Sequence, residues 1–230
     1  MEDRTEKLLT SIVREHIKTA QPVGSSLLVE KYHLDVSPAT VRNEMALLEE
    51  EGYIAQPHTS AGRVPTEKGY RFYVENFLST REMKEVDQKK LKEMLKRFAD
   101  DRRLMLKNIA KDLAEMSGQL VFVGFAPNDA YYTGVSNIFS QPEFIEKGLV
   151  YDLGVVVDHL DEAMKKIFDL PETASQIMIG SKNPFGNMCS AVVAKYQTKD
   201  GNEILGLLGP MRMDYDANVG MVNFIKEIIK

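Results

Sequence analysis

A chain of 230 residues, 43% hydrophobic and 27% charged, can hold one or two domains with a buried core and has the composition of an ordinary soluble protein. Its lone cysteine excludes an internal disulfide, the four histidines (His16, His33, His58, His159) are too dispersed for a local metal motif, and no apolar run approaches the roughly 20 residues that span a bilayer. The opening MEDRTEKLLT carries no signal-peptide pattern, so a cytoplasmic location is expected, and the net charge of -5 disfavours general affinity for polyanions, since nonspecific nucleic-acid binding is mostly phosphate neutralisation.

Residues 5–19 place Leu8, Leu9, Ile12, Val13 and Ile17 at a 3.6-residue period, which predicts a first, supporting helix. Gln21-Pro22-Val23-Gly24 breaks it. Ser25 and Ser26 then cap a short helix through Tyr32 that uses Leu27, Leu28 and Tyr32; contact of these serines with phosphate at that helix N-terminus is the less simple alternative. A link, His33-Leu34-Asp35-Val36, leads to Ser37, a good N-cap, and Pro38, which suits the first helical position. In the helix so begun, Val41, Met45 and Leu48 form an apolar stripe and Glu49-Glu50-Glu51-Gly52 mark the end.

The face opposite that stripe carries Ala39, Thr40, Asn43 and, at its edge, Arg42. Such a face suits a major groove: Arg and Asn match base edges with paired donors and acceptors, and Thr can bond a phosphate or touch a thymine methyl. Residues 53–56 predict a short strand, 57–62 a polar turn, and Arg63-Val64 the returning strand before Pro65. The hairpin tip, His58-Thr59-Ser60-Ala61-Gly62-Arg63, offers donors, a glycine for close backbone approach and one arginine for phosphate or minor-groove contact. Three helices and a hairpin in this order predict a winged helix-turn-helix, although the same elements can also pack together with no ligand. Arg42 and Asn43 are the expected base readers, Ser37 and Thr40 the positioning or phosphate contacts, and His58, Thr59, Ser60, Gly62 and Arg63 the wing contacts. Residues 1–80 hold nine basic and twelve acidic side chains, so DNA binding requires Arg42, Arg63, Lys68 and Arg71 on one face and the acids turned away.

The run from Pro22 to Val74 resembles the winged-helix domain of HrcA-type heat-inducible transcription repressors, above all in SPATVRNEM and GYIAQPHTSAGRVPT. Two later stretches are similar to the same family: GVSNIF (Gly134 to Phe139) with QPEF (Gln141 to Phe144), and GLLGPMRMDY (Gly206 to Tyr215). The resemblance implies a stress-response repressor that binds an inverted-repeat operator of chaperone operons as a homodimer. It also implies a GAF-like C-terminal domain and activity tuned by a chaperonin.

Beyond this, residues 66–78 predict a helix with Tyr70, Tyr73, Val74, Phe77 and Leu78 apolar. Residues 81–117 lack Gly and Pro, and Leu91, Leu95, Phe98, Met105, Ile109, Leu113 and Met116 form a near-heptad seam. One long linker helix is therefore expected. Pairing with a second chain is favoured over packing in cis, because helix-turn-helix readers usually engage two half-sites. A strand over 119–126 and a turn at Pro127-Asn128-Asp129 lead almost at once to the GVSNIF motif. Usual family members carry many more residues here, including an inserted domain that contributes to dimerisation, so the resemblance implies a shortened member with a trimmed sheet. Helix is expected within 143–168, apolar between Leu149 and Val157 but weakened by Gly148 and Gly154. A strand is expected over 176–180, then antiparallel strands at 190–196 and 203–208 around Asp200-Gly201-Asn202, and a final helix capped by Asp214.

The expected architecture is α+β: a winged helix-turn-helix (residues 1–80), a linker and dimerisation helix (81–117) and a small GAF-like antiparallel-sheet domain with helices (118–230). Asp158 with Asp161, and Arg212 with Asp214, are possible acid-base or ion pairs. Nothing resembles a nucleophile elbow, phosphate loop or metal ligand set, so no enzyme, cofactor or metal is expected, and Cys189 reads as a buried core residue. The rival expectation is a winged-helix regulator switched by a small-molecule ligand in the GAF-like domain.

Overall fold

The computed structural model describes residues 3–33, 35–146, 150–171, 175–199 and 201–229. The chain divides into two compact units, Met1–Leu78 and Ser79–Lys230.

In the first unit, α1 (Asp3–Thr19) buries Leu8, Leu9, Ile12 and Val13 completely, as its apolar period requires. The second helix, α2 (Ser25–Tyr32), is capped at Gly24 with no side-chain bond, so the serines are not its caps; Ser25 is instead buried in the first turn. Leu34, in the link that follows, lies outside the described residues. In α3 (Pro38–Glu50), the Ser37 hydroxyl accepts from the Thr40 amide at 3.1 Å, a cap worth about 1 kcal/mol, and Val41, Met45 and Leu48 face inward. Two residues of β1 (Ile54–Ala55) pair antiparallel with β2 (Val64–Pro65), Ile54 opposite Pro65. The last helix of the unit, α4 (Glu67–Phe77), is capped by Thr66 and buries Tyr70 and Tyr73. Tyr70 reaches back to His16 Nδ1 of α1 at 2.6 Å.

The second unit is a five-stranded antiparallel sheet in the order β4-β3-β7-β6-β5, flanked by helices. Its strands are β3 (Leu120–Ala126), β4 (Asp129–Thr133), β5 (Gln176–Ile179), β6 (Cys189–Thr198) and β7 (Gly201–Pro210). The central ladder joins β6 to β7 over ten pairs, Cys189 opposite Pro210 through Thr198 opposite Gly201. Asp200, expected in that hairpin turn, lies outside the described residues. One sheet face carries Leu120, Phe122, Ala191, Val193 and Leu208 into a core with Ile138, Phe144, Leu160, Met164 and Ile167. Those last residues come from α7 (Val135–Phe139), α8 (Pro142–Glu146) and α10 (Leu160–Phe168); α9 (Val150–Asp158) lies between the latter two. The alternate residues Val121, Val123, Val192, Leu205 and Leu207 are equally buried on the other face, where α6 (Arg102–Ser117) and α11 (Tyr215–Ile228) pack. Burial on both faces explains why these strands read as continuous apolar runs rather than as alternation.

One expectation is overturned here. Residues 81–117 are not one helix but α5 (Glu85–Arg97) and α6, separated by a turn at Phe98 and joined side by side through Lys90 and Asp112 at 3.0 Å. Asp101 caps α6 by accepting from the Leu104 amide at 2.9 Å, and α5 ends on Lys96 and Arg97, charges that favour a helix C-terminus. The seam residues Leu91, Met105, Ile109 and Leu113 are buried within the chain itself, whereas Leu95, Phe98 and Met116 are half-buried, so that much of the seam packs in cis. The helix expected within 143–168 is likewise three short helices; Gly148 lies outside the described residues.

Cys189 is buried in the sheet core, and loss of hydration pushes its thiol up to about 12, which leaves it inert as a thiolate. Gly206 faces Phe122 so closely that an added Cβ would come within 2.2 Å of the ring. Gly206→Ala is therefore expected to destabilise the protein by about 1–3 kcal/mol, the usual cost of overpacking, read as a lowered urea midpoint with secondary structure retained.

Candidate nucleic-acid interface

The stripe that buries Val41, Met45 and Leu48 turns the other side of α3 outward. Ser37, Arg42 and Asn43 are exposed, and Thr40 is half-buried with its hydroxyl 2.9 Å from that of Ser37. The exposed helix start bears no acid in its first turn, and its free amides and dipole favour an anion. Among the described residues Arg42 makes no ion pair. Leu47, one turn beyond Asn43, lies on the same face and is 57% exposed.

The hairpin is held against α3 by one carboxylate. Glu49 accepts from the Gln56 amide at 3.0 Å and from Arg63 Nε at 2.8 Å, while Gln56 Nε2 donates to the carbonyls of Thr59 and Ala61 and closes the loop. His58, Thr59 and Ser60 stand exposed at the tip. Packing requires Gly62: a Cβ there would lie 2.4 Å from the Val23 carbonyl oxygen. Val23 and Arg63 exchange both backbone hydrogen bonds, at 2.8 and 2.9 Å, which adds a third bridge to the small sheet. Gln56 and Glu49 are the residues that sequence reasoning missed; neither belongs to a recognisable local motif, since each acts across a fold of the chain.

The expected gathering of bases is only partly realised. Arg63 is half-buried and tied to Glu49; Lys68 donates to the Glu51 carbonyl at 2.7 Å and covers the Tyr53 ring at 4.1 Å; Arg71 is paired with Glu67. Lys68 thereby satisfies a free carbonyl at the end of α3, where Glu49, Glu50 and Glu51 oppose the helix dipole. Other acids are tied as well: Glu15 to Lys31 and Tyr32, Glu44 to Arg4. Asn43 and Arg42 thus share an exposed face with Thr40 beside them, while the basic residues after the hairpin serve packing and capping.

In the second unit the carboxylates expected as possible pairs are placed otherwise. Arg212 binds Glu143 and Gln141 rather than Asp214. Asp214 caps α11 by accepting from the Ala217 amide at 3.1 Å and pairs with Arg81. Asp161 accepts from the Tyr132 hydroxyl at 2.7 Å. Among the described residues no group of His, Cys, Asp or Glu could hold a metal, and no helix is long and apolar enough to cross a membrane. The GVSNIF and QPEF motifs build a joint: Asn137 Nδ2 donates to the Ala114 and Gln119 carbonyls at 3.0 Å, and Gln141 reaches the Gly118 carbonyl.

Comparison with known proteins matches residues 66–219 to a family model described as the HrcA protein C terminal domain. A heat-inducible transcription repressor HrcA of Pelotomaculum thermopropionicum is 58% identical over 83 residues, 36% of this chain and 24% of that protein. One from Geobacter sulfurreducens is 39% identical over 175 residues, 70% of this chain and 47% of that protein. The chain thus covers less than half of the length of these relatives. A third, from Thermoanaerobacter pseudethanolicus, is 26% identical over an alignment of 327 positions that takes in 97% of this chain and 94% of that protein. An alignment that long over 230 residues means that the relative carries segments this chain lacks. A crystal structure of a hypothetical protein shares the fold, with a TM-score of 0.75 at 19% identity over 100% of this chain and 98% of that one.

The scaffold behind α3 has a pH signature. The Lys31 ammonium beside Glu15, with Tyr32 adding a second bond, holds that carboxyl below its usual 4.5 against the opposing effect of burial. A depressed carboxylate stabilises the fold above 4.5, and that contribution disappears as pH falls through the folded-state value. Glu15→Gln is expected to flatten the fall of melting temperature below pH 4.5 and to leave its slope near neutrality unchanged, as measured by thermal unfolding across pH.

Proposed function

This chain belongs to the HrcA family, and from that premise we propose that it is a sequence-specific, DNA-binding repressor of heat-shock operons whose first unit is a winged helix-turn-helix. The observation that carries this reading is the outward face of α3, where Arg42 and Asn43 are exposed beside a capped, acid-free helix start. In this reading α3 enters the major groove, Arg42 and Asn43 address base edges, and Ser37 and Thr40 position the helix on phosphate. The hairpin, with His58, Thr59, Ser60, Gly62 and Arg63, lies on the flanking backbone or minor groove as the wing. Two copies bind an inverted repeat, because two-fold symmetry in the protein requires it in the DNA. The relatives named as heat-inducible repressors support the regulatory role, which is not enzymatic, and the resemblance to their family extends the proposal to chaperonin as the partner that tunes activity. The antiparallel sheet of the second unit is consistent with a GAF-like regulatory domain.

Equilibrium binding to a duplex selected from a random pool, against its scrambled form at physiological salt, tests the proposal; equal affinity for the two defeats it. Arg42→Ala is expected to lower the ratio of the two affinities by about tenfold to a hundredfold, the usual discrimination of one base-edge contact. Arg63→Ala, which releases the hairpin from Glu49, is expected to weaken binding to both duplexes.

A further inference from the structure

Leu47 on α3 is 57% exposed, the most exposed large apolar side chain among the described residues of the first unit. A lone exposed leucine is ordinary on a protein surface; the position of this one is not. After Pro38, the other exposed residues of α3 are Ala39, Arg42, Asn43, Ala46 and Glu50, all small or hydrogen-bonding. Leu47 follows Asn43 by one turn and Thr40 by close to two, which puts the three along one line of the helix. The fold gains little from its size, since alanine is the stronger helix former and the leucine side chain stands mostly in solvent.

This end of the helix is not built to hold phosphate. Glu50 and Glu51 follow Leu47, and Lys68 is engaged with the Glu51 carbonyl at 2.7 Å. A leucine has no donor or acceptor, so against the polar edge of guanine, adenine or cytosine it strips water and returns no hydrogen bond. Among the four bases only thymine presents an apolar group in the major groove, its C5 methyl. We infer that Leu47 is a specificity-determining residue whose isobutyl group packs on a thymine methyl. It selects thymine by that contact and rejects the other bases by uncompensated desolvation. The inference rests on the groove-reading role of α3 proposed above and adds to it the identity of one base. Helix rise sets where that base lies: the turn from Asn43 to Leu47 advances about 6 Å, about two steps of a duplex that rises about 3.4 Å per base pair. The methyl therefore belongs to a base pair about two steps from the one that Asn43 addresses.

The test uses the full chain and the duplex selected from a random pool. Each thymine is replaced in turn by deoxyuridine, which removes the C5 methyl and keeps the base pairing. For the wild type, one such replacement per half-site is expected to weaken binding by about threefold to tenfold, the effect of losing one methyl contact. Leu47→Ala should bind the unmodified duplex more weakly by a similar factor, be indifferent to that replacement, and melt no lower than wild type. Asn43→Ala should keep the sensitivity to the methyl and lose discrimination at a base pair about two steps away. Three results overturn the inference while sequence-specific binding stands: equal binding of the unmodified duplex by Leu47→Ala and wild type, the same loss on deoxyuridine replacement in both proteins, or a selected duplex with no thymine at that spacing. A lower molar mass of Leu47→Ala in light scattering without DNA also overturns it, because Leu47 then packs on a second copy. Equal affinity of wild type for the selected and scrambled duplexes defeats the DNA-reading role itself, and this inference with it.

Discussion

The carboxylate of Glu49 joins the end of α3 to the hairpin that follows it, accepting the Gln56 amide on one strand and the Arg63 guanidinium on the other. An exposed ion pair contributes little by itself. This one is partly buried, with side chains 17% and 34% exposed, and backbone contacts reinforce it, because Arg63 also exchanges two hydrogen bonds with Val23. Hairpin, α3 and the segment before α2 are thereby held in one arrangement. Any surface shared by helix and hairpin, including the proposed reading face and wing, depends on that clamp.

The same economy of charge answers how a net-acidic unit could approach a polyanion. Glu15, Glu44, Glu49 and Glu67 are each bound to a base, and Glu50 and Glu51 lie at the far end of α3 from its capped start. What remains outward on α3 at the near end is short, polar or cationic, Ser37, Ala39, Arg42 and Asn43, with the exposed Asp35 just ahead of the cap. Binding of this kind relies on a few well-placed groups more than on bulk attraction, which predicts modest nonspecific affinity.

In the second unit, the stretches that carry the family resemblance are joints of the fold. Gly134 takes a φ of +73°, and a Cβ on it would meet the Gln119 carbonyl oxygen at 2.6 Å; Asn137 ties the end of α6 to the start of β3; Arg212 fastens the β7–α11 turn to Gln141 and Glu143; and Tyr215 bonds Ser190 across to β6. Their residue types are dictated by packing and by backbone carbonyls that need donors, so a family signature here marks architecture and not chemistry.

Local chemistry made much of the chain legible from its sequence. The cap of α3 at Ser37, its inward stripe, the hairpin after Gly52, the β6–β7 pair, the cap at Asp214 and the buried character of Cys189 all follow from spacing and residue type, which act over a few residues. The break between α5 and α6 was also written locally, in Lys96, Arg97 and Asp101, but an uninterrupted apolar seam without Gly or Pro outweighed it. Tertiary structure alone decided that Leu91, Met105, Ile109 and Leu113 of this seam are buried in cis, that Gly62 makes room for Val23, and that Arg63, Lys68 and Arg71 are occupied by Glu49, Glu51 and Glu67. The reason is physical: periodicity states which face of an element is apolar, whereas the partner that a side chain meets depends on residues brought near it by the rest of the fold.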